Sequence, residues 1–208
     1  MHVLVICDDN WHPGDIVRKG LNPLQNNNFE FDFIFDANEF DKKKLSCYPI
    51  IIFSKSNNVS RETTDPWVTS DVENAFTTYV ENGGGLLVIH SGTAGYKKNK
   101  DFSNLIGGVF NHHPLQCDVT IEACKNNSII DEDIKFRVFD EHYFMNMEDE
   151  NVDVFMNTIS MSGKQPGGWT KSVGKGRICV LTPGHNLKVW LNEDFQNILK
   201  SCLNWCVI

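Results

Sequence analysis

No apolar run in this 208-residue sequence approaches the roughly 18 residues needed to cross a membrane. A basic leader followed by a long apolar stretch is missing too. The chain enters the strand-like run His2–Cys7 directly, so a cytoplasmic location is expected. Positive charge is scarce: 19 Lys and Arg stand against 27 Asp and Glu, a net charge of -8. That balance argues against nucleic-acid binding and against attachment to an anionic membrane surface. The seven cysteines are odd in number and include no Cys-x-x-Cys pair, which speaks for reduced, mostly buried thiols rather than a disulfide framework. Internal repeats, low-complexity stretches and linkers are also lacking, so residues 1–208 are expected to form a single domain.

The apolar content is ordinary for a globular protein and is distributed in short runs. The most informative stretch is Glu81–Gly95. Gly83, Gly84 and Gly85 close a helix, Leu86–Ile89 make a buried strand, and the strand delivers His90 into the small-residue loop Ser91-Gly92-Thr93-Ala94-Gly95. Apolar runs bounded by glycine fit a parallel strand covered on both faces. His2–Cys7, Phe29–Phe35 and Tyr48–Ser54 read as further strands, with a helix over Asp15–Gln25, a turn at Asn26-Asn27-Asn28 and a mobile polar loop over Ser54–Pro66. Val68, Val72, Ala75, Phe76, Tyr79 and Val80 share one face of a helix over Trp67–Asn82. In the second half, Cys117–Glu122, Lys135–Phe139, Val152–Ser160, Gly168–Lys171 and Arg177–Leu181 have strand composition, with a hairpin turn at 172–176. Glu193–Val207 reads as an amphipathic closing helix. Strands alternating with helices predict an α/β fold around a mainly parallel sheet, with additional strands in the C-terminal half.

Ligands of open α/β sheets bind at the carboxyl ends of strands. His12, His90, Asp140-Glu141-His142 and His185 each follow a strand, so His12, His90, Asp140 and His185 are expected in one cleft. A strand-end imidazole, partly buried near backbone N–H groups and the positive end of a helix dipole, is held neutral. It can then act as a general base, a hydrogen-bond donor or a metal ligand. Asp140 and Glu141 offer carboxylates for acid–base work or for orienting a histidine. Of the adjacent pair His112-His113, one at most faces the cleft. Trp169 and Trp190 could stack on sugar faces, although aromatics at such positions also serve as core.

The combination of Gly83-Gly84-Gly85-Leu86-Leu87-Val88-Ile89-His90-Ser91, Leu105–Phe110 with His113-Pro114, Asp140-Glu141-His142-Tyr143, and Gly174-Lys175-Gly176-Arg177 through Gly184-His185-Asn186 to Val189-Trp190 resembles the ThuA-like (trehalose utilisation) family. The resemblance implies a flavodoxin-like three-layer sandwich of the class I glutamine amidotransferase-like superfamily. Those amidotransferases place a cysteine nucleophile in an elbow after the central strand; here His90 holds that place, so glutamine hydrolysis is not expected. The family name implies carbohydrate catabolism. A disaccharide or 3-keto-glycoside derivative would suit His/carboxylate chemistry, with hydrolysis, elimination and isomerisation all open.

On that reading His90, Asp140, Glu141 and His185 are the catalytic candidates. His12, Ser91, His113, Tyr143, Trp169 and Asn186 are the substrate-binding candidates. No fixed-spacing metal motif is present; a divalent zinc, manganese or iron ion on His90 and His185 is left open. The expected partner is a small-molecule carbohydrate, without nucleic acid or membrane, and assembly into a homo-oligomer is left open. The competing reading is a non-catalytic sugar-binding or regulatory module that has kept the fold and lost the nucleophile.

Overall fold

The computed structural model describes residues 1–25 and 29–207; the turn assigned to Asn26-Asn27-Asn28 lies outside the described residues. The first half alternates strand and helix. β1 (His2–Cys7) leads to α1 (Gly14–Gln25) and β2 (Glu30–Ile34); two 3-10 turns then precede β3 (Ile50–Ser54). α2 (Ser70–Glu81) feeds β4 (Gly85–Ile89). β2, β1, β3 and β4 pair side by side in parallel, and β11 (Gly176–Leu181) joins the free side of β4, again in parallel.

Every residue of β3 and β4 is buried, as continuous apolar strands between two helical layers must be. α1 and α5 (Glu193–Cys206) cover one face, through Val17, Leu21, Phe195, Ile198 and Leu203. α2 and α3 (Lys100–Ile106) cover the other, through Phe76, Val80, Phe102 and Ile106. Each such side chain taken from water contributes about 1.5–3 kcal/mol, so this three-layer half is the stable platform for the strand ends.

The sheet is not mainly parallel. Among the described residues its nine strands run in the order β2-β1-β3-β4-β11-β10-β9-β6-β7, and the last four pairings are antiparallel. β6 is Cys117–Ala123, β7 Lys135–Asp140, β9 Asp153–Ser160 and β10 Gly163–Val173. The reason lies in the connections. β9 to β10 and β10 to β11 are joined by two-residue turns, at 161–162 and 174–175, whereas a parallel pairing needs a crossover of a dozen or more residues. β5 (Gly108–His112) and β8 (Phe144–Met147) form a separate antiparallel pair, and α4 (Leu187–Trp190) is a single turn after β11.

One local expectation is corrected. α2 begins at Ser70 because the Thr69 hydroxyl caps the Val72 N–H; Trp67 and Val68 precede the helix and pack into the core. The polar segment after β3 is irregular yet tied down: Asn57 Oδ1 accepts from the N–H groups of both Trp67 and Val68, at 3.1 and 3.0 Å. All seven thiols are free; Cys7, Cys179, Cys202 and Cys206 are buried, and Cys47 is exposed.

Candidate active site

Three histidines meet where β1, β4 and β11 end. The His12 and His90 rings lie 4.9 Å apart between centroids, His12 and His185 5.1 Å, and His90 and His185 5.7 Å. Glu141 completes the group. Its Oε2 is 3.3 Å from His185 Nδ1, 3.4 Å from His90 Nε2 and 3.9 Å from His12 Nε2. One ligand atom from each of the four residues falls within 4.8 Å of all the others.

Local structure fixes each imidazole. β1 ends at Cys7, Asp8 follows at φ +75, and the loop turns so that Asp9 Oδ1 accepts from the backbone N–H of Trp11 and His12. The same carboxylate oxygen lies 2.7 Å from His12 Nδ1. His90 sits in the left-handed region at φ +47, the first residue of the short turn His90–Thr93, with only 1% of its surface exposed. Its Nδ1 lies 2.7 Å from the carbonyl oxygen of Thr182. A carbonyl only accepts, so Nδ1 carries the proton and Nε2 faces Glu141. The Tyr143 ring stacks on the far side at 4.0 Å between centroids.

His185 is held by its backbone. The Asp140 carboxylate accepts from the N–H groups of Gly184 (2.8 Å) and His185 (3.1 Å), and Trp190 Nε1 donates to the Gly184 carbonyl at 2.7 Å. β7 lies four strands from β11 in the sheet, yet its end closes on the β11 loop through these contacts. Consecutive residues at a strand end point opposite ways, so Asp140 turns into the loop while Glu141 turns toward the histidines.

The charges follow this geometry. Burial opposes a proton on His12, but the neighbouring Asp9 and Glu141 carboxylates outweigh it and lift His12 to about 9. Burial likewise opposes charge on Asp9, and its contact with His12 prevails, pulling Asp9 down to about 2. Burial depresses His90 despite Glu141, keeping it neutral as expected. The cause is enclosure rather than a helix dipole, since the turn after His90 is four residues long. Glu141 is held well below the usual carboxylate range: its burial is overcome by the surrounding imidazoles of His12, His185 and His90. Burial raises Asp140, with His90 and the backbone N–H groups acting against it.

A cavity of about 770 Å³ opens onto the group, lined by Trp11, Asn58, Phe110, His113 and Tyr143 besides His12, Glu141 and His185. His113 Nδ1 lies 2.7 Å from the Pro114 carbonyl oxygen and so donates to it, leaving Nε2 toward Glu141 Oε1 at 3.7 Å. A slightly larger groove, about 830 Å³, lies between the Lys42–Cys47 turn and α2; it contains no histidine and none of the site residues.

Of the sequence candidates, His12, His90, Glu141, His185, His113 and Tyr143 come together. Asp140 stands behind them as a backbone anchor. Trp169 does not reach the cavity: it is fully buried in the core and its Nε1 donates to the Ile106 carbonyl at 2.8 Å. Its register on β10 aims the ring into the α3 layer. Ser91 is fully enclosed, and Asn186 bonds Gln116 and the Phe139 carbonyl outside the cavity. Sequence reasoning missed Asp9, whose spacing of three before His12 was the available signal, and Trp11, which is 70% exposed at the cavity.

Fold and site define an α/β protein with an imidazole-rich centre at the carboxyl ends of a parallel half-sheet. The chain belongs to the ThuA family, described as trehalose utilisation, whose model matches residues 3–206. Its structure is similar to a ThuA-like protein from Bacteroides uniformis (18% identity, TM-score 0.76, 100% of this chain and 91% of that one). It is also similar to a ThuA-like protein from Parabacteroides merdae (16% identity, TM-score 0.78, 100% and 90%). A part of a β-galactosidase from Rahnella shares the fold (12% identity, TM-score 0.69, 98% of this chain and 31% of that one). A search of curated proteins found no match. The family assigns this chain to carbohydrate metabolism.

Proposed function

We propose that this protein is an enzyme of carbohydrate catabolism, one domain acting on a disaccharide or 3-keto-glycoside derivative. The observation that carries the reading is the convergence of three buried imidazole nitrogens without hydrogen-bond partners on Glu141, which with His12 and His185 lines a sugar-sized cavity. A module that only binds sugar has no use for such nitrogens, since unpaired buried polar atoms each cost about 1–3 kcal/mol. The parallel half has the flavodoxin-like strand order, and such sheets hold ligands at this edge. Cytoplasmic labels on two similar Salmonella proteins support the same location here.

In the chemistry proposed, a carbonyl at C3 acidifies the neighbouring C2–H. An imidazole of the cluster takes that proton, and the electron pair forms the C1–C2 double bond as the C1–O bond breaks. The departing oxygen takes a proton from a neighbouring acid. Trp11 and Tyr143 supply flat faces for the sugar ring.

The test is a screen of the wild type, His90→Ala, His185→Ala and the double variant against 3-keto-glycosides and their parent disaccharides. Turnover should fall about 10²–10⁴-fold in each single variant, and the double variant should be little worse, because groups acting as a unit fail together. Binding of sugars without turnover by the wild type would transfer the assignment to the binding-module reading.

A further inference from the structure

The contacts around Glu141 are not ordinary hydrogen bonds. His12 Nε2, His90 Nε2 and His185 Nδ1 are all buried and without partners, although each stands 3.3–3.9 Å from the same carboxylate oxygen. On His90 the Thr182 carbonyl already claims the Nδ1 proton, so a neutral ring presents a lone pair to a carboxylate. Asp9 at His12 Nδ1 likewise fixes that ring so that Nε2 is the atom turned to Glu141. The His90 lone pair facing a carboxylate is repelled unless something positive lies between them.

We propose that His12, His90, Glu141 and His185 bind a divalent first-row transition metal ion. Four donors at 2.0–2.2 Å from a tetrahedral centre stand roughly 3.3–3.6 Å from one another, which matches the two shorter spacings to Glu141 and is slightly below the third. Three imidazoles and one carboxylate suit zinc, iron, cobalt, nickel or manganese and are a poor cage for calcium or magnesium, which take oxygen donors. The supporting contacts belong to such a centre as well. The Asp9 carboxylate and the Thr182 carbonyl hold the rear nitrogens of two ligands, fixing tautomer and ring orientation. The cavity on the open side leaves room for a water or a sugar oxygen beside the metal.

The inference rests in part on the proposed sugar chemistry and alters one point of it. With the four donors engaged, His113, whose Nε2 faces Glu141 Oε1 at 3.7 Å outside the donor set, is the remaining cavity imidazole to take the C2 proton. The metal would polarise the C3 carbonyl.

The experiment uses the full chain without a histidine tag, stripped with a chelator and then titrated with Zn²⁺, Mn²⁺ or Co²⁺. Bound metal is measured by elemental analysis, and the Co²⁺ form by its visible absorption. The wild type should take up one ion per chain, with a Co²⁺ spectrum of nitrogen-rich coordination and a raised melting temperature. His185→Ala and Glu141→Gln should lose stoichiometric binding while keeping a wild-type circular-dichroism spectrum. Asp9→Asn, which only orients a ligand, should weaken binding about 10–100-fold. His113→Ala should keep full metal content and lose turnover.

The proposal is overturned if the folded wild type binds none of the three ions stoichiometrically, or if His185→Ala and Glu141→Gln bind as it does. Stoichiometric metal without turnover of any keto-glycoside would leave the metal site standing and remove the sugar reading. Turnover by chelator-stripped protein that still takes up one ion would keep both the metal site and the sugar reading and remove the metal from the chemistry.

Discussion

Asp140→Asn separates two roles that the sequence leaves open for this carboxylate. In the structure Asp140 is 1% exposed and accepts the N–H groups of Gly184 and His185, so it positions the loop that carries His185. An asparagine keeps one acceptor oxygen and turns an NH₂ group toward the second N–H. Hydrogen bonds to a charged partner are worth about 1.5–3 kcal/mol each, and burying an unmatched donor adds a comparable penalty. One bond is lost and the other becomes neutral, which gives a loss of about 2–4 kcal/mol. For a chain of this size each kcal/mol moves the melting temperature by roughly 2–4 °C, so a fall of about 5–15 °C is expected. The assay is reversible urea unfolding beside calorimetry, with His185→Ala and the double variant completing a cycle. Because Asp140 acts on His185 through the backbone, its effect on stability should survive removal of the imidazole. Its effect on metal uptake or turnover should shrink in the His185→Ala background. The argument is refuted if Asp140→Asn unfolds within about 0.5 kcal/mol of the wild type while abolishing turnover, since Asp140 would then be a reacting group.

Gly184→Ala tests the same loop from the other side. Gly184 has φ +140, and an added Cβ would lie 3.3 Å from both His90 Cβ and Ile89 Cγ2, so a loss of about 1–3 kcal/mol in chemical denaturation is expected, together with weaker metal uptake. Lys55→Met tests the support beneath the β1 loop. Lys55 Nζ donates to the carbonyls of Asp8 and Phe35, so its removal should destabilise by about 1–3 kcal/mol. Burial lowers the Lys55 pKa against the pull of Asp9 and Asp8, so below the ordinary lysine value of 10.5 the unfolded chain holds more protons than the folded one. Stability from this group therefore rises with pH through that window, and Lys55→Met should flatten the rise in unfolding measured from pH 8 to 10.

The parts of the fold legible in the sequence were those with one dominant pattern. β3 and β4 are unbroken apolar runs because both faces are covered, and α2 and α5 show a single apolar stripe. β5 and β8 carry no such signal, since their two-stranded pair is half covered and includes polar residues such as His112 and Asn146. The first part of β10, Gly163-Lys164-Gln165-Pro166-Gly167, has the composition of a turn. It is a strand because its pairing with β9 shifts register around Gly167. At the site, three histidines could be placed from the runs that precede them. The choice between Asp140 and Glu141 could not be made, because a one-residue difference in where β7 ends exchanges the two. Trp169 was misplaced for the same reason: which face of β10 it occupies depends on that shifted register.

The backbone at His90 explains why an imidazole can stand where the superfamily's elbow presents a nucleophile. A non-glycine residue at φ +47 costs on the order of 1–3 kcal/mol and persists only where its surroundings hold it. Those surroundings are visible. A side chain at Gly92 would put a Cβ 2.1 Å from the Phe53 carbonyl oxygen, so the turn closes against β3 only with glycine there. The Thr182 carbonyl fixes the His90 ring from behind, and Trp190 fixes the Gly184 carbonyl beside it. An elbow built this way aims whatever side chain it carries at one point with little freedom. Ser91, next in the chain, points into the protein and is fully enclosed, so it offers no hydroxyl to the cavity in place of a cysteine. What the elbow delivers instead is the His90 Nε2 atom, toward the same point as His12 Nε2 and His185 Nδ1 and beside one oxygen of Glu141. A strained turn supporting a single proton carrier would need only one of those rings. Four donors converge there from the ends of β1, β4, β7 and β11, the set to which the proposed metal ion is assigned.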